Sequence, residues 1–384
     1  MRIIADRDIP QVESAFSEYG DVELVSGRSV TAEQLRDAEI LIVRSVTRVD
    51  QDLLKYSKVG YVGTATSGTD HLDKKYLQDS GIVYFDAAGC NARAVAEYVA
   101  ACSFLHGQPG SVERDISVGI VGFGHVGKRV YAMLSALGLD CVVNDPLIEQ
   151  EPHDVEFVPL EHALSCDIVT LHVPYTQHGE FPTKGLIDRA QLAQARPDAL
   201  LINAARGGVI DEQSLVTWLT SHPAGHAAID CWYGEPTVDL ALLDRAAIAT
   251  PHIAGHTNEA RLRATTMLVE QLANKLEINQ QWTPQPVAPI ELGLQSHTAG
   301  ESLDLLGEAV LRCCDPRVST KLMRKTAGLS RSRRATEFDE LRRKAGSRCE
   351  FSSHRVACDG WQLDTVRGLR ELGFATTMNG NPHE

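Results

Sequence analysis

The 384-residue sequence predicts an α/β protein built on a doubly wound parallel sheet, and three observations predict it. Short apolar runs closed by Gly, Asp or Ser alternate with amphipathic stretches, the pattern of βαβ units whose sheet is covered on both faces. One of those units opens on a glycine-rich turn. A proline-rich break then sets the last hundred residues apart, and the length suffices for two or three domains with their own cores.

Taken in order, "RIIAD" (2–6), "EILIVRS" (39–45), "VGYVGTA" (59–65) and "GIVYFDA" (81–87) read as strands, with helical stretches such as "TAEQLRDA" between them. "NARAVAEYVAACSFL" (91–105) reads as a helix with Asn91 as its N-cap and small residues that allow close packing. A second βαβ start follows over 117–145, and further strands are expected at 167–173, 199–205, 226–230 and 247–253. Residues 259–276 predict a helix burying the face of Leu262, Thr266, Val269, Leu272, Ala273 and Leu276. "QQWTPQPVAPIELG" carries three prolines and reads as a linker to a small mixed α/β domain. Lys and Arg cluster there between Lys321 and Arg348, read as a solvated helix face rather than a phosphate-binding or dimer-facing patch.

Composition excludes several classes. A formal net charge of −14 argues against a nucleic-acid partner, since phosphate backbones are held by excess Lys and Arg. No run approaches the ~20 apolar residues that span a membrane, and the start "MRIIADRDIP" is too short and charged for a secretory signal. Nine cysteines without a CxxC pair, Cys313 and Cys314 among them, read as reduced core thiols and predict a cytoplasmic protein.

In "GIVGFGHVG", Gly122, Gly124 and Gly127 stand in G-x-G-x-x-G spacing between an apolar strand and a helix, and the next strand ends at Asp145. The first glycine permits a tight turn, the second lets backbone approach a pyrophosphate, and the third lets helix and strand pack closely. The helix start offers unpaired N–H groups to phosphates. Asp145 would accept from the adenosine ribose hydroxyls and repel a 2′-phosphate, so NAD is expected rather than NADP.

Later strand ends bring three further side chains to notice. In an open parallel sheet, ligands bind outside the carboxyl ends of strands, and Arg206, Glu235 and His252 each follow such an end. Arg206 offers a planar fork for a carboxylate. Glu235 could accept the Nδ1 proton of His252 and fix its tautomer, leaving Nε2 to face substrate as acid–base catalyst. A metal held by His252 and His256 is not expected: no third His, Cys or carboxylate lies at a useful spacing, and Gly255 disfavours a helical i, i+4 pair. His172 reads as structural, with Val173 in the following loop beside the cofactor.

These four stretches, G-x-G-x-x-G with its Asp, N-x-x-R-G-G-x-x-D, D-x-x-x-x-E-P and T-P-H-I-A-G, together resemble the D-isomer-specific 2-hydroxyacid dehydrogenases over residues 1–285. The resemblance implies a Rossmann-type doubly wound sheet inserted into a flavodoxin-like substrate domain. The expected boundaries are 1–92 for the first part of the substrate domain, 93–257 for the NAD domain, 258–284 for the returning helix and 285–384 for a C-terminal α/β dimerisation domain. It implies a cofactor set of Gly122, Gly124, His125, Val126, Gly127, Asp145, Val173, Ala204, Ala205, Arg206, Asp230 and Gly255. "RSVT" (44–47), "VGTATSGTDHLD" (62–73) and "GCNARAVAEYV" (89–99) are similar to the branch of that family that oxidises 4-phospho-D-erythronate at C2 in vitamin B6 synthesis. That closer resemblance implies substrate contacts at Arg44, Ser45, Thr66, Ser67, Gly68 and His256, the last a departure from a commonly aromatic position, and a homodimer. The alternatives are another phosphorylated 2-hydroxyacid dehydrogenase, such as one acting on 3-phosphoglycerate, or a non-enzymatic NADH-sensing module.

Overall fold

The computed structural model describes residues 1–107, 116–148, 155–279, 281–294, 302–359 and 361–378. Its chain divides into two compact units, residues 1–91 with 258–287 and residues 92–257 with 288–384. Residues 92–257 of the second unit are thus inserted in sequence into the first, and 288–384 follow it.

In the first unit β1 (Arg2–Asp6), β2 (Asp21–Val25), β3 (Ile40–Val43), β4 (Tyr61–Thr64) and β5 (Val83–Asp86) form an all-parallel sheet in the order β2-β1-β3-β4-β5. This is the flavodoxin-like order. Alternate residues serve opposite faces, as the strand period requires. Ile3, Ala5, Ile40 and Ile42 join a cluster with Leu268, Val269 and Leu272 of the Asn258–Leu276 helix. Ile4, Leu41, Val43 and Val62 join a second cluster with Leu35, Leu54 and Leu77 of the short helices. The strand β2 was not expected from sequence: its pattern buries only Val25, so no apolar run announces it. The Asn258–Leu276 helix runs as expected, but its buried face is Ala260, Ala264, Thr265, Leu268, Val269, Leu272 and Ala273. Leu262, Thr266 and Leu276 are only half-buried.

The second unit is built on β6 (Ser117–Val121), β7 (Asp140–Asn144), β8 (Ile168–Leu171), β9 (Leu200–Asn203), β10 (His226–Ile229) and β11 (Ile248–Ala249). They pair in the order β11-β10-β9-β8-β6-β7, all parallel. A parallel bridge from Val143 to Phe157 marks one more position outside β7. The chain therefore winds outward from β6, then crosses back to β8, and the reversal point lies between β6 and β8, where doubly wound folds take their ligand. Both faces are buried: Ile120, Ile168 and Ile202 serve one cluster, Val121, Val169 and Leu201 the other.

The expected helix spans Ala92–His106, but Asn91 does not cap it: its Oδ1 is buried without a hydrogen-bond partner. Beyond the linker, β12 (Ile290–Glu291), β13 (His354–Ala357) and β14 (Ala375–Thr377) make a small parallel sheet of their own. Its surroundings are not independent. Leu306, Phe351, Val356 and Leu369 lie in one apolar cluster with Val118, Ile120 and Val130 of the nucleotide fold. A buried polar network reinforces that junction: Glu97 Oε1 accepts from Phe351 N (2.9 Å) and from Arg93 Nε (3.1 Å). No described helix is long and apolar enough to cross a membrane.

Candidate active site

The glycine turn follows β6 directly. Gly122 has φ +95° and a Cβ there would press on the backbone of His172 at 2.8 Å. A Cβ on Gly127 would run into the Gly122 carbonyl. Beside Gly124 no heavy atom lies within 4 Å of the corresponding position, so the backbone at the start of the His125–Ala136 helix faces open space. Gly124 caps that helix with no side-chain acceptor, leaving its first N–H groups to a ligand. Asp145 Oδ2 accepts from Phe123 N (2.8 Å) and Oδ1 from Leu147 N (3.1 Å), so this carboxylate also fastens the glycine turn. An open cradle at a helix start, closed on either side by glycines no larger residue could replace, fits a dinucleotide. His125 is exposed at its rim and Val126 half-buried.

The catalytic candidates are assembled by two polar side chains at strand ends. Asn203 closes β9: its Oδ1 accepts from Ala205 N (3.2 Å), and its Nδ2 donates to Arg206 O (3.0 Å) and Cys231 O (3.3 Å). It thus ties the Arg206 loop to the segment after β10, while Arg206 Nη1 donates to Ala205 O (2.8 Å). Asp230, 1% exposed, closes β10. Its Oδ1 accepts from Thr250 Oγ1 (2.6 Å) and Ile253 N (2.7 Å), its Oδ2 from Ala254 N (2.9 Å), and its carbonyl from His252 N (2.9 Å). That set holds His252 at φ +54°, a left-handed conformation rare for a residue with a Cβ. Gly255 lies in the turn closed by His256 N to Ile253 O (2.9 Å).

His252 Nδ1 stands 2.8 Å from Glu235 Oε2, and Glu235 Oε1 accepts from Trp232 N (2.7 Å). The expected pair is therefore formed, with Nδ1 engaged and Nε2 as the other ring nitrogen. Burial draws the imidazole's proton affinity down, but its contacts with Cys231 and Glu235 outweigh that and hold His252 well above its ordinary range. Burial pushes the Cys231 thiol up, so the thiol stays neutral at pH 7 and Glu235 is the anion that keeps the proton on the ring. Glu235 in turn titrates lower than usual, because the charge and hydrogen bond of His252 exceed its own burial cost. His172 is held neutral by burial, down to about 3, with Nε2 2.9 Å from Thr170 Oγ1.

Three of these residues were not foreseen. Trp232 donates its backbone N–H to Glu235 and its Nε1 to Thr250 O (2.9 Å), Thr250 joins Tyr98 (2.8 Å) to Asp230, and Cys231 lies against the His252–Glu235 pair. Asn203 and Thr250 carried a signal, as the first residues of N-x-x-R and T-P-H-I-A-G. His256 is occupied: its Nδ1 is 3.0 Å from Arg342 O on the Arg331–Ala345 helix.

The first unit carries the remaining candidates at the carboxyl ends of its own strands. Arg44 follows β3 and grips Asp6 (Nε–Oδ2 2.8 Å) and Asp8 (Nη2–Oδ2 2.6 Å). Ser45 beside it is exposed. Arg261, which sequence reasoning passed over, donates to Asp8 O (2.8 Å), and both burial and the charge of Arg44 lower its proton affinity. After β4, Thr66 Oγ1 donates to Gly68 O (2.8 Å) and Ser67 Oγ accepts from Gly89 N (3.3 Å).

A nucleotide cradle in a doubly wound unit, with an Arg–Glu–His set at the neighbouring strand ends, defines an NAD-dependent dehydrogenase of 2-hydroxy acids. The description "D-isomer specific 2-hydroxyacid dehydrogenase, NAD binding domain" matches residues 93–254. Similar proteins include erythronate-4-phosphate dehydrogenase of Marinobacter nauticus, 40% identical over 97% of this chain and 99% of the relative. The protein of that name from Hahella chejuensis is 38% identical over the same shares. Among solved structures, NAD+-bound 3-phosphoglycerate dehydrogenase of Entamoeba histolytica is 25% identical with TM-score 0.61, covering 72% of this chain and 95% of that one. D-lactate dehydrogenase of Aquifex aeolicus, 21% identical with TM-score 0.60 over 72% and 96%, shares the fold. The chain belongs to the erythronate-4-phosphate dehydrogenase family, within the D-isomer-specific 2-hydroxyacid dehydrogenases.

Proposed function

We propose that this enzyme oxidises 4-phospho-D-erythronate at C2 to 2-oxo-3-hydroxy-4-phosphobutanoate, a step of vitamin B6 synthesis. The observation that carries the chemistry is the 2.8 Å contact of His252 Nδ1 with Glu235, on a loop pinned by Asp230. The substrate is named by the relatives, which span almost the whole chain.

Bound NAD supplies the acceptor for the C2 hydride. Gly122, Gly124, Gly127 and the N–H groups at His125 and Val126 would hold its pyrophosphate, Asp145 its adenosine ribose, and Val173, Ala204, Ala205 and Gly255 its nicotinamide half. Asp230 has one acceptor position left for it beyond the loop N–H groups. Arg206 takes the substrate carboxylate, whose charge its fork matches. Ser45 and the backbone at Thr66, Ser67 and Gly68 are further substrate contacts, and Arg44 with Arg261 offers the phosphate two neighbouring guanidiniums. His256, with Nδ1 on Arg342 O, would reach substrate through its other ring nitrogen or by exchanging that partner.

Neutral His252 removes the C2 hydroxyl proton, and Glu235 stabilises the imidazolium that forms. The hydroxyl proton ends on the imidazole and leaves to water. Because Glu235 favours the protonated ring, oxidation speeds up as pH rises through the His252 ionisation, and reduction of the oxo acid slows.

Nine cysteines, with no disulfide among the described residues, support a cytoplasmic location. A homodimer is supported by apolar side chains left exposed in the C-terminal segment, among them Val318 and Leu363. Mass by light scattering tests that state.

NADH formation from 4-phosphoerythronate, compared by kcat/KM with 3-phosphoglycerate and D-lactate, tests the substrate. Preference for 3-phosphoglycerate would overturn it. His252→Ala should lower kcat by about 10²–10⁴ while NADH binding, followed by fluorescence, persists.

A further inference from the structure

Cys231, Glu235 and His252 form a three-donor cluster that the proposed reaction does not fully use. One ligand atom from each lies within 4.8 Å of the other two. The donors are a sulfur, a carboxylate oxygen and an imidazole nitrogen, the set that suits zinc(II). At zinc–ligand distances of about 2.0–2.3 Å, tetrahedral ligands stand roughly 3.3–3.7 Å apart. Asp230 and Asn203 fix the backbone that carries the three donors, so closing from within 4.8 Å to that spacing falls to side-chain rotation.

Access and charge both favour an ion here. His252 and Glu235 keep 30% and 22% of their side chains exposed, while Cys231 is 1% exposed and closes the inner wall. An ion enters from the solvent side and keeps water on its fourth position. Glu235 is already oriented by Trp232 N at 2.7 Å, the kind of outer support that ligating carboxylates receive. Ligation takes the thiolate, the carboxylate and the neutral imidazole, and any proton on sulfur or on the ligating nitrogen leaves to water. The product, Zn²⁺ with thiolate, carboxylate and neutral imidazole, is uncharged, so no buried charge is left uncompensated.

We propose that Cys231, Glu235 and His252 constitute an inhibitory zinc(II) site, in which the metal takes the imidazole lone pair that proton transfer requires. Metal binding stands on the cluster alone. Inhibition rests additionally on the proposed role of His252. Because the ligands must be deprotonated, binding tightens as pH rises.

The full-length enzyme is titrated with Co²⁺ under anaerobic conditions, and Zn²⁺ inhibition of NADH formation is measured beside it, each variant against its own metal-free rate. Cys231→Ala and Cys231→Ser are compared with wild type, NADH fluorescence confirming that each variant is folded. The expected result is a thiolate-to-cobalt charge-transfer band with tetrahedral d–d bands in wild type, lost in both variants. The zinc concentration for half-inhibition should rise by roughly tenfold or more in them, and a chelator should restore wild-type turnover. Cobalt spectra indifferent to Cys231, or zinc inhibition of equal strength in all three proteins, would overturn the site. A Cys231-dependent cobalt band with turnover that zinc leaves unimpaired would overturn inhibition and count against His252 as the proton-transfer residue.

Discussion

Replacing Glu235 by Gln keeps the shape of the His252 partner and removes its charge. The contact is 2.8 Å, with 30% and 22% of the two side chains exposed, so solvent screens it only in part. A hydrogen bond between charged groups contributes about 1.5–3 kcal/mol, and about 1.36 kcal/mol corresponds to one pKa unit. The His252 ionisation should therefore fall by about 1–2 units in Glu235→Gln. The sign follows from the raised wild-type value: oxidation needs the neutral ring, so kcat/KM climbs with pH through a limb set by His252. That limb should move to lower pH in the variant. The plateau above it should drop by about 10–100-fold, because the imidazolium formed during reaction has lost its anion. The assay is NADH formation from 4-phosphoerythronate across a pH series at low and saturating substrate. A limb that stayed in place or moved upward would refute the pairing argument, and an undiminished plateau would refute the role given to Glu235.

Arg206→Ala should raise KM and lower kcat together, by at least about tenfold in kcat/KM if one charged hydrogen bond is lost. NADH affinity should change little, since Asn203 holds this loop through the backbone carbonyl of Arg206; an unchanged KM would count against carboxylate binding there. Gly127→Ala places a methyl on the Gly122 carbonyl, and overpacking of this kind costs about 1–3 kcal/mol. NADH titration by fluorescence should show a weakened complex, and unaltered affinity would mean that this turn does not hold the dinucleotide. Glu97→Gln addresses stability. Burial pushes the Glu97 carboxyl up to about 8, so between its unfolded value near 4.5 and about 8 the folded state holds the extra proton and stability declines as pH rises. The variant should flatten that decline in melting temperature between pH 5 and 8.5, and an unaltered slope would reject Glu97 as its source.

The parts of this fold legible in the sequence are those with a period or a punctuating residue. Strands β1, β3 and β4 are buried on both faces and, like β5, read as apolar runs; β2 buries only Val25 and leaves no trace. The helix over Asn258–Leu276 was visible by its spacing, yet Ala260 and Ala264 rather than Leu262 face the core. Small residues sit where helix and sheet approach closely, and a hydrophobicity pattern weights them too lightly. The small C-terminal sheet was legible as an addition because prolines precede it; that its apolar residues join the cluster around Ile120 was not. Within the site, Arg206, Glu235 and His252 stood out because motifs frame them. Cys231 did not, since its relation to His252 depends on two strands meeting side by side. Arg261 was hidden for the same reason: its neighbour Arg44 lies more than two hundred residues earlier.

The residue that makes the site work as a unit is Asp230, and its role differs from that of the groups it positions. A left-handed conformation at a residue with a side chain is disfavoured and persists only where the surroundings over-determine it. Here the over-determination comes from one buried carboxylate and its own carbonyl, which together hold Thr250 and the N–H groups of His252, Ile253 and Ala254. Burial raises the proton affinity of Asp230, and the nearby His252 charge with these hydrogen bonds opposes that rise. Thr250 extends the hold, through Tyr98 to the Ala92–His106 helix and through its carbonyl to the indole of Trp232. Trp232 in turn orients Glu235. The imidazole and the carboxylate that sets its tautomer are thus anchored by the same buried network. Their 2.8 Å contact is therefore fixed by the packing of the unit rather than by the pair's own attraction. Such preorganisation is what proton transfer from a defined hydroxyl requires, because the geometry exists before substrate arrives.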